Sequence, residues 1–118
     1  MAVFEKILQS KPKHPFLVLT RDGEDTQFAI SQDIVSIGRS NANGIRLDDH
    51  NISKRHCLLV RTPDGVKMVD LESTNGTWIN GLYLEPGKHY LLSQGDTIEF
   101  GLLPIVVRNI TTLRRSGG

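Results

Sequence analysis

At 118 residues the chain has the length of one domain, enough to bury a single core without extra staples. Hydrophobic residues make up 38% and charged ones 23%, the balance of an ordinary soluble globular protein. The formal net charge of +1 excludes a strongly basic nucleic-acid binder, so any basic site must be local.

The chain opens with "VFEKIL", which places Val3, Phe4, Ile7 and Leu8 at helix-like spacing, room for a helical turn or two. "QSKPKHP" follows as a short linker, because Pro12 and Pro15 and the residues before them disfavour helix. Residues 1–15 are therefore expected to be an N-terminal extension or tether. The stretch has no long apolar core, so it does not read as a signal peptide. No apolar run approaches the ~18 residues of a membrane span.

From Phe16 onward the pattern is short strands and turns. "FLVLT" and "TQFAI" flank Asp22-Gly23, a hairpin signal. "DIVSI" leads through "GRSNANG" to "IRL". "HCLLVRT" and "VKMVDL" flank "PDG", a second hairpin with Asp64-Gly65, and "TWI" and "LYL" flank Asn80-Gly81, the strongest short hairpin signal. "KHYLL" and "TIEF" flank "SQGD". "PIVVRNITTL" reads as the last strand, with Pro104 at its tolerated first position. About ten short strands punctuated by Gly, Asn and Asp predict an all-β sandwich. "RRSGG" reads as a flexible tail over 114–118.

The turns between these strands hold an unusual share of donors and cations. Arg39 follows Gly38 at the end of a β-branched strand, and its guanidinium fork suits phosphate or carboxylate. By itself, Gly38-Arg39 reads first as a surface salt bridge. In "NISKRH", Ser53 offers a hydroxyl, and Lys54 and Arg55 offer charge. His56 opens the next strand and is expected to brace the turn rather than touch a ligand. Ser53 fits a local turn hydrogen bond as well as a ligand contact. In "DLESTNGTWING", Asn75 carries donors and acceptors suited to a peptide backbone, or else is a tight-turn asparagine in left-handed conformation.

Taken in order, Gly38-Arg39, Ser53-x-x-His56, Ser73-Thr74-Asn75-Gly76-Thr77 and Asn80-Gly81 resemble the forkhead-associated (FHA) domain family, over roughly residues 34–101. "GIRLDD" and "LSQGDTIEFG" fit the same pattern. The resemblance implies a β-sandwich of about eleven mostly antiparallel strands spanning 16–113, reading phosphothreonine peptides with loops at one end. It implies that Arg39 and Ser53 contact the phosphate, that Lys54 adds charge and that Thr74 helps at the phosphate or the threonine methyl. Asn75 is implied to hold the peptide main chain. Gly38, His56, Gly76, Asn80 and Gly81 are implied to support the loops, and Asp70 to be architectural. The physics agrees: a phosphate at neutral pH carries roughly −1.5 to −2 charge and three strong acceptors, matched by charge-assisted donors. Lys54 stands where family members often carry Asn or Arg. Cys57 stands where a small apolar residue is common, and reads as a buried small hydrophobe.

The expected activity is binding, with no catalysis, cofactor or metal. Ser53, His56 and Asp70 are triad residue types, but no nucleophile-elbow or oxyanion-hole segment accompanies them. His14, His50, His56 and His89 are scattered and Cys57 stands alone, so no metal cluster is evident. Arg39, Arg46, Lys54 and Arg55 compose a basic patch, yet aromatic content is only 6%, poor for base stacking. The expected partner is a phosphothreonine-containing protein or a phosphorylated segment of the parent protein, not nucleic acid or membrane. The alternative is phospho-independent contact or self-association through the sandwich faces. The unpaired Cys57 favours a reducing, intracellular setting, and a monomer is expected.

Overall fold

The structure, a computed structural model, describes residues 16–21, 23–101 and 106–111. The helix-like stretch at 3–8, the tether, Pro104 and the tail lie outside these residues. Among the described residues there are eleven strands: β1 (Phe16–Arg21), β2 (Glu24–Ala29), β3 (Ile34–Gly38), β4 (Ile45–Arg46), β5 (Cys57–Thr62), β6 (Gly65–Asp70), β7 (Thr77–Ile79), β8 (Leu82–Tyr83), β9 (His89–Leu91), β10 (Ile98–Phe100) and β11 (Val106–Thr111). No helix occurs among the described residues. One sheet has the order β2-β1-β11-β10-β7-β8 and the other β4-β3-β5-β6-β9. All pairings are antiparallel except β3 with β4.

The alternation of side chains creates the two layers. Cys57 and Leu59 on β5, Met68 on β6, Thr77 and Ile79 on β7, and Ile98 and Phe100 on β10 all turn inward. Leu58, Val60, Trp78 and Glu99, between them, are more exposed. The apolar residues bury into one core with Leu17, Ile37 and Leu84. That burial is the main force holding the sheets together.

The three hairpins read from sequence are paired as β1–β2, β5–β6 and β7–β8. In the second, Thr62 pairs with Gly65, so Pro63 and Asp64 make the turn and Gly65 begins β6. Thr62 Oγ1 accepts from Asp64 N–H at 3.1 Å and donates to the Gly65 carbonyl at 2.9 Å, closing it. "KHYLL" and "TIEF" are not partners. β9 pairs with β6, whereas β10 pairs with β7 and β11. The "SQGD" turn therefore carries the chain from one sheet to the other.

Candidate functional site

Three connections converge beside the start of β5: the β3–β4 turn, the β4–β5 turn and the β6–β7 turn. Gly38 makes the first approach possible. It is buried, and a Cβ there would collide with the Lys54 carbonyl oxygen and lie 2.8 Å from Asn43 Nδ2. Only hydrogen in place of a side chain lets the two backbones meet. They are then stitched together: Arg39 N–H donates to Ser53 O at 3.0 Å and Ser40 N–H to Lys54 O at 3.2 Å. Asn43 Nδ2 donates to both Ser40 O, at 2.8 Å, and Lys54 O, at 2.6 Å.

This frame aims Arg39. Its Nε donates to Ile52 O at 3.1 Å, which fixes the half-buried side chain by one edge. Among the described residues no acceptor takes its two terminal NH2 groups. Arg46 Nε donates to the Arg39 carbonyl at 3.0 Å, and its Nη2 lies 3.4 Å from Asp48. Arg46 thus braces Arg39.

Ser53 is the junction. Its N–H donates to His56 Nδ1 at 3.1 Å, and its Oγ accepts from Thr74 N–H at 2.9 Å. The hydroxyl has accepted, and its own proton remains to be given. Thr74 and Lys54 beside it are exposed. Asn75 Nδ2 donates to Asn51 O at 2.9 Å, tying the β6–β7 turn to the β4–β5 turn. Among the described residues, the left-handed ones of non-glycine type are Glu72 (φ 59) and Asn80 (φ 50); Asn75 is not one of them. Asn75 keeps its amide oxygen and second amide proton beyond the Asn51 bond.

His56 lies beneath these turns, fully buried, with Phe100 edge-on at 5.7 Å. Its Nε2 is 3.0 Å from Gly76 O, an acceptor, so Nε2 carries the proton and Nδ1 is free to accept from Ser53. Burial lowers the imidazole pKa below its usual value, against smaller raising effects from the Gly76 bond and the Asp70 charge. The ring is a neutral pillar between two turns.

Residues 35–101 match the FHA domain family. The chain is an FHA domain. It is 32% identical over 104 residues to the oxoglutarate dehydrogenase inhibitor of Corynebacterium jeikeium, spanning 86% of this chain and 70% of that protein. Its fold superposes on the N-terminal FHA domain of Saccharomyces cerevisiae Rad53p in complex with a phosphothreonine peptide. There the TM-score is 0.68 at 26% identity, covering 81% of this chain and 93% of that one. The FhaA FHA domain complexed with the intracellular domain of Rv3910 matches at TM-score 0.66 and 30% identity, over 78% of this chain and 99% of that one. The FHA domain is a module that binds phosphothreonine peptides, not an enzyme class.

The arrangement of the triad residue types agrees with that. His56 meets the backbone N–H of Ser53, not its Oγ. Asp70 is buried and serves the loop. Its Oδ1 accepts from Ser73 Oγ at 2.6 Å and Thr77 Oγ1 at 2.7 Å, and its Oδ2 accepts from Ser73 N–H at 3.0 Å. With Thr77 Oγ1 donating to Asp70, the Cys57 thiol, 3.2 Å away, is the donor in their contact. Burial pushes that thiol up to about 12. His56, Cys57 and Asp70 bring potential metal ligands within 4.8 Å, but each is already engaged: His56 with Ser53 N–H and Gly76 O, and the protonated Cys57 thiol with Thr77, which in turn donates to Asp70.

Of the FHA residues singled out by sequence, Gly38, Arg39, Ser53, Lys54, His56, Thr74, Asn75 and Gly76 come together at one end. Asn80 and Gly81 do not. They lie at the far end of β7, where Asn80 N–H donates to Thr97 O at 2.8 Å and its side chain holds Asp96 and Thr97 at 2.9 Å each. Their support goes to the Ser93–Thr97 connection. Sequence reasoning missed two staples, from Asn43 to the Lys54 carbonyl and from Asn75 to the Asn51 carbonyl, since the paired residues lie 11 and 24 apart. It also missed Gly101, where a Cβ would stand 2.7 Å from Asn51 O. A glycine closing "TIEFG" was the visible signal.

Proposed function

We propose that this FHA domain binds a phosphothreonine-containing segment of a partner protein at the end built by these three turns. Arg39 and Ser53 hold the phosphate, Lys54 adds charge beside it, Thr74 lies against the phosphate or threonine methyl, and Asn75 holds the main chain. Gly38, His56 and Gly76 keep the turns in place. The observation that carries this reading is the pattern of leftover donors. Around Arg39 and Ser53 the other polar groups brace the turns, while the guanidinium's terminal NH2 groups and the Ser53 hydroxyl proton remain to be given. Such donors, with exposed Lys54 alongside, suit a multivalent anion.

The binding unit is residues 16–113, with an N-terminal extension or tether over 1–15 and a tail over 114–118. Its setting is intracellular, and its partner is another protein or a phosphorylated segment of the parent chain. Calorimetric titration with a phosphothreonine peptide pool tests the site. Ser53→Ala removes one charge-assisted donor and also the acceptor for Thr74 N–H, and should weaken binding by about 1.5–3 kcal/mol. Unchanged affinity in a folded Ser53→Ala protein would remove Ser53 from the phosphate contact.

A further inference from the structure

The outer face of the six-stranded sheet carries a second recognition feature beside the turns. Trp78 pairs with Tyr83 on β8 and with Glu99 on β10, so the three side chains form one row across β8, β7 and β10. Their chain neighbours Thr77, Ile79, Ile98 and Phe100 are buried, which places the row on the solvent side. Trp78 and Tyr83 meet edge to face, with ring centroids 5.5 Å apart. Tyr83 is 49% exposed and Glu99 is exposed, with no ion-pair partner among the described residues. The row offers two aromatic rings with a carboxylate one strand spacing beyond, about 4.8 Å.

This row is continuous with the peptide site. The position a Gly76 Cβ would take lies 2.9 Å from Tyr83 Cε1 and 3.0 Å from Trp78 Cη2. Gly76 directly follows Asn75. At about 3.3 Å per residue, an extended ligand held at Asn75 reaches the rings within two to four residues of its phosphothreonine.

We propose that Tyr83, Trp78 and Glu99 select phosphorylated partners carrying a lysine or arginine a few residues from the phosphothreonine. The methylene stem and cationic head lie over the rings, and the head reaches the Glu99 carboxylate. Exposed aromatic faces attract cations, and long basic side chains pack their stems on apolar surface. This proposal rests on the phosphopeptide reading above. It adds a second charge requirement, opposite in sign to the phosphate.

The test uses the full chain and labelled phosphothreonine peptide pools, degenerate except at one flanking position. That position is fixed as Arg, Gln, Leu or Glu and moved from four residues before the phosphothreonine to four after. Trp78 is the chain's single tryptophan, so its emission reports occupancy of the row directly. The expected result is one or two positions where Arg binds about fivefold tighter than Gln, the size of an exposed cation–π contact plus an exposed ion pair. Trp78 emission changes with Arg and not with Gln. Glu99→Gln and Tyr83→Leu each reduce the preference, leaving Gln pools unaffected.

A preference for Leu that ignores Glu99→Gln would overturn the assigned chemistry. Equal binding of Arg and Gln pools, with phosphate dependence intact, would overturn the proposal and leave the phosphopeptide reading standing. Absence of phosphate-dependent binding to any pool would overturn both. Concentration-dependent dimerisation abolished by Tyr83→Leu would assign the row to self-association instead.

Discussion

In the proposed site Arg39 and Ser53 supply the donors, and His56 holds their turns in position. Arg39 is held by a single edge bond, and Ser53 accepts from Thr74 while keeping its own proton. His56 works by being neutral, since only the uncharged ring both accepts from Ser53 N–H and donates to Gly76 O. Its burial gives that state a pH signature. In the unfolded chain the imidazole titrates near 6.5, and in the fold it titrates lower. Below pH 6.5 the unfolded chain therefore holds the extra proton. The stability that depends on neutral His56 is complete above pH 6.5 and declines as pH falls toward the folded value. Urea unfolding between pH 8 and 5 should show this decline. His56→Gln should lower stability by about 1–3 kcal/mol at pH 8 and flatten the acid slope. An identical slope in His56→Gln would show that other groups govern it. Lost turns show up as weakened binding, so the same variant should also bind phosphopeptide less well.

At the scale of elements, turn chemistry explains what the sequence revealed and what it hid. Asn80-Gly81 announced a hairpin because both residues take positive φ, 50° and 84°, as the two-residue turn requires. That signal is local and was legible. The Asn80 side chain's grip on Asp96 and Thr97, 16 and 17 residues away, is tertiary and was not. The same limit applies to the segment around "SQGD". Strand-turn-strand spacing looks identical whether the chain folds back or crosses to the opposite sheet, and here it crosses. Asn75 and Glu72 make the point within one turn. Asparagine has the better intrinsic tolerance for left-handed backbone, yet Glu72 takes it (φ 59) while Asn75 reaches for Asn51 O. Two substitutions test this in thermal or urea unfolding. Asn80→Ala should cost about 1–2 kcal/mol through lost side-chain bonds. Glu72→Gly should gain up to about 1 kcal/mol by relieving the strained position. A neutral Asn80→Ala would show that the Ser93–Thr97 latch contributes nothing.

Across the whole molecule, the sandwich separates holding from reading. The core is apolar and shared by both sheets, and among the described residues no buried side-chain nitrogen or oxygen lacks a partner. Binary alternation made this layered class legible, and the ordered motif made the family legible. The cross-turn staples were hidden because they depend on which loops meet in space. Cys57 reports on the integrity of the whole: it is buried at the boundary of core and turns, with its thiol pushed up to about 12. It should resist a disulfide-exchange reagent at pH 8 in native protein and react at the rate of global unfolding in denaturant. Rapid native labelling would contradict the buried trio with Thr77 and Asp70. The converging turns are proposed to clasp a phosphothreonine. The most direct test is fluorescence anisotropy with matched phosphothreonine, phosphoserine and unphosphorylated peptide pools, on wild type and Arg39→Ala. The expected result is selective binding of the phosphothreonine pool, weakened in Arg39→Ala by about 2–5 kcal/mol. Equal binding of phosphorylated and plain pools, or full affinity in folded Arg39→Ala, would contradict it.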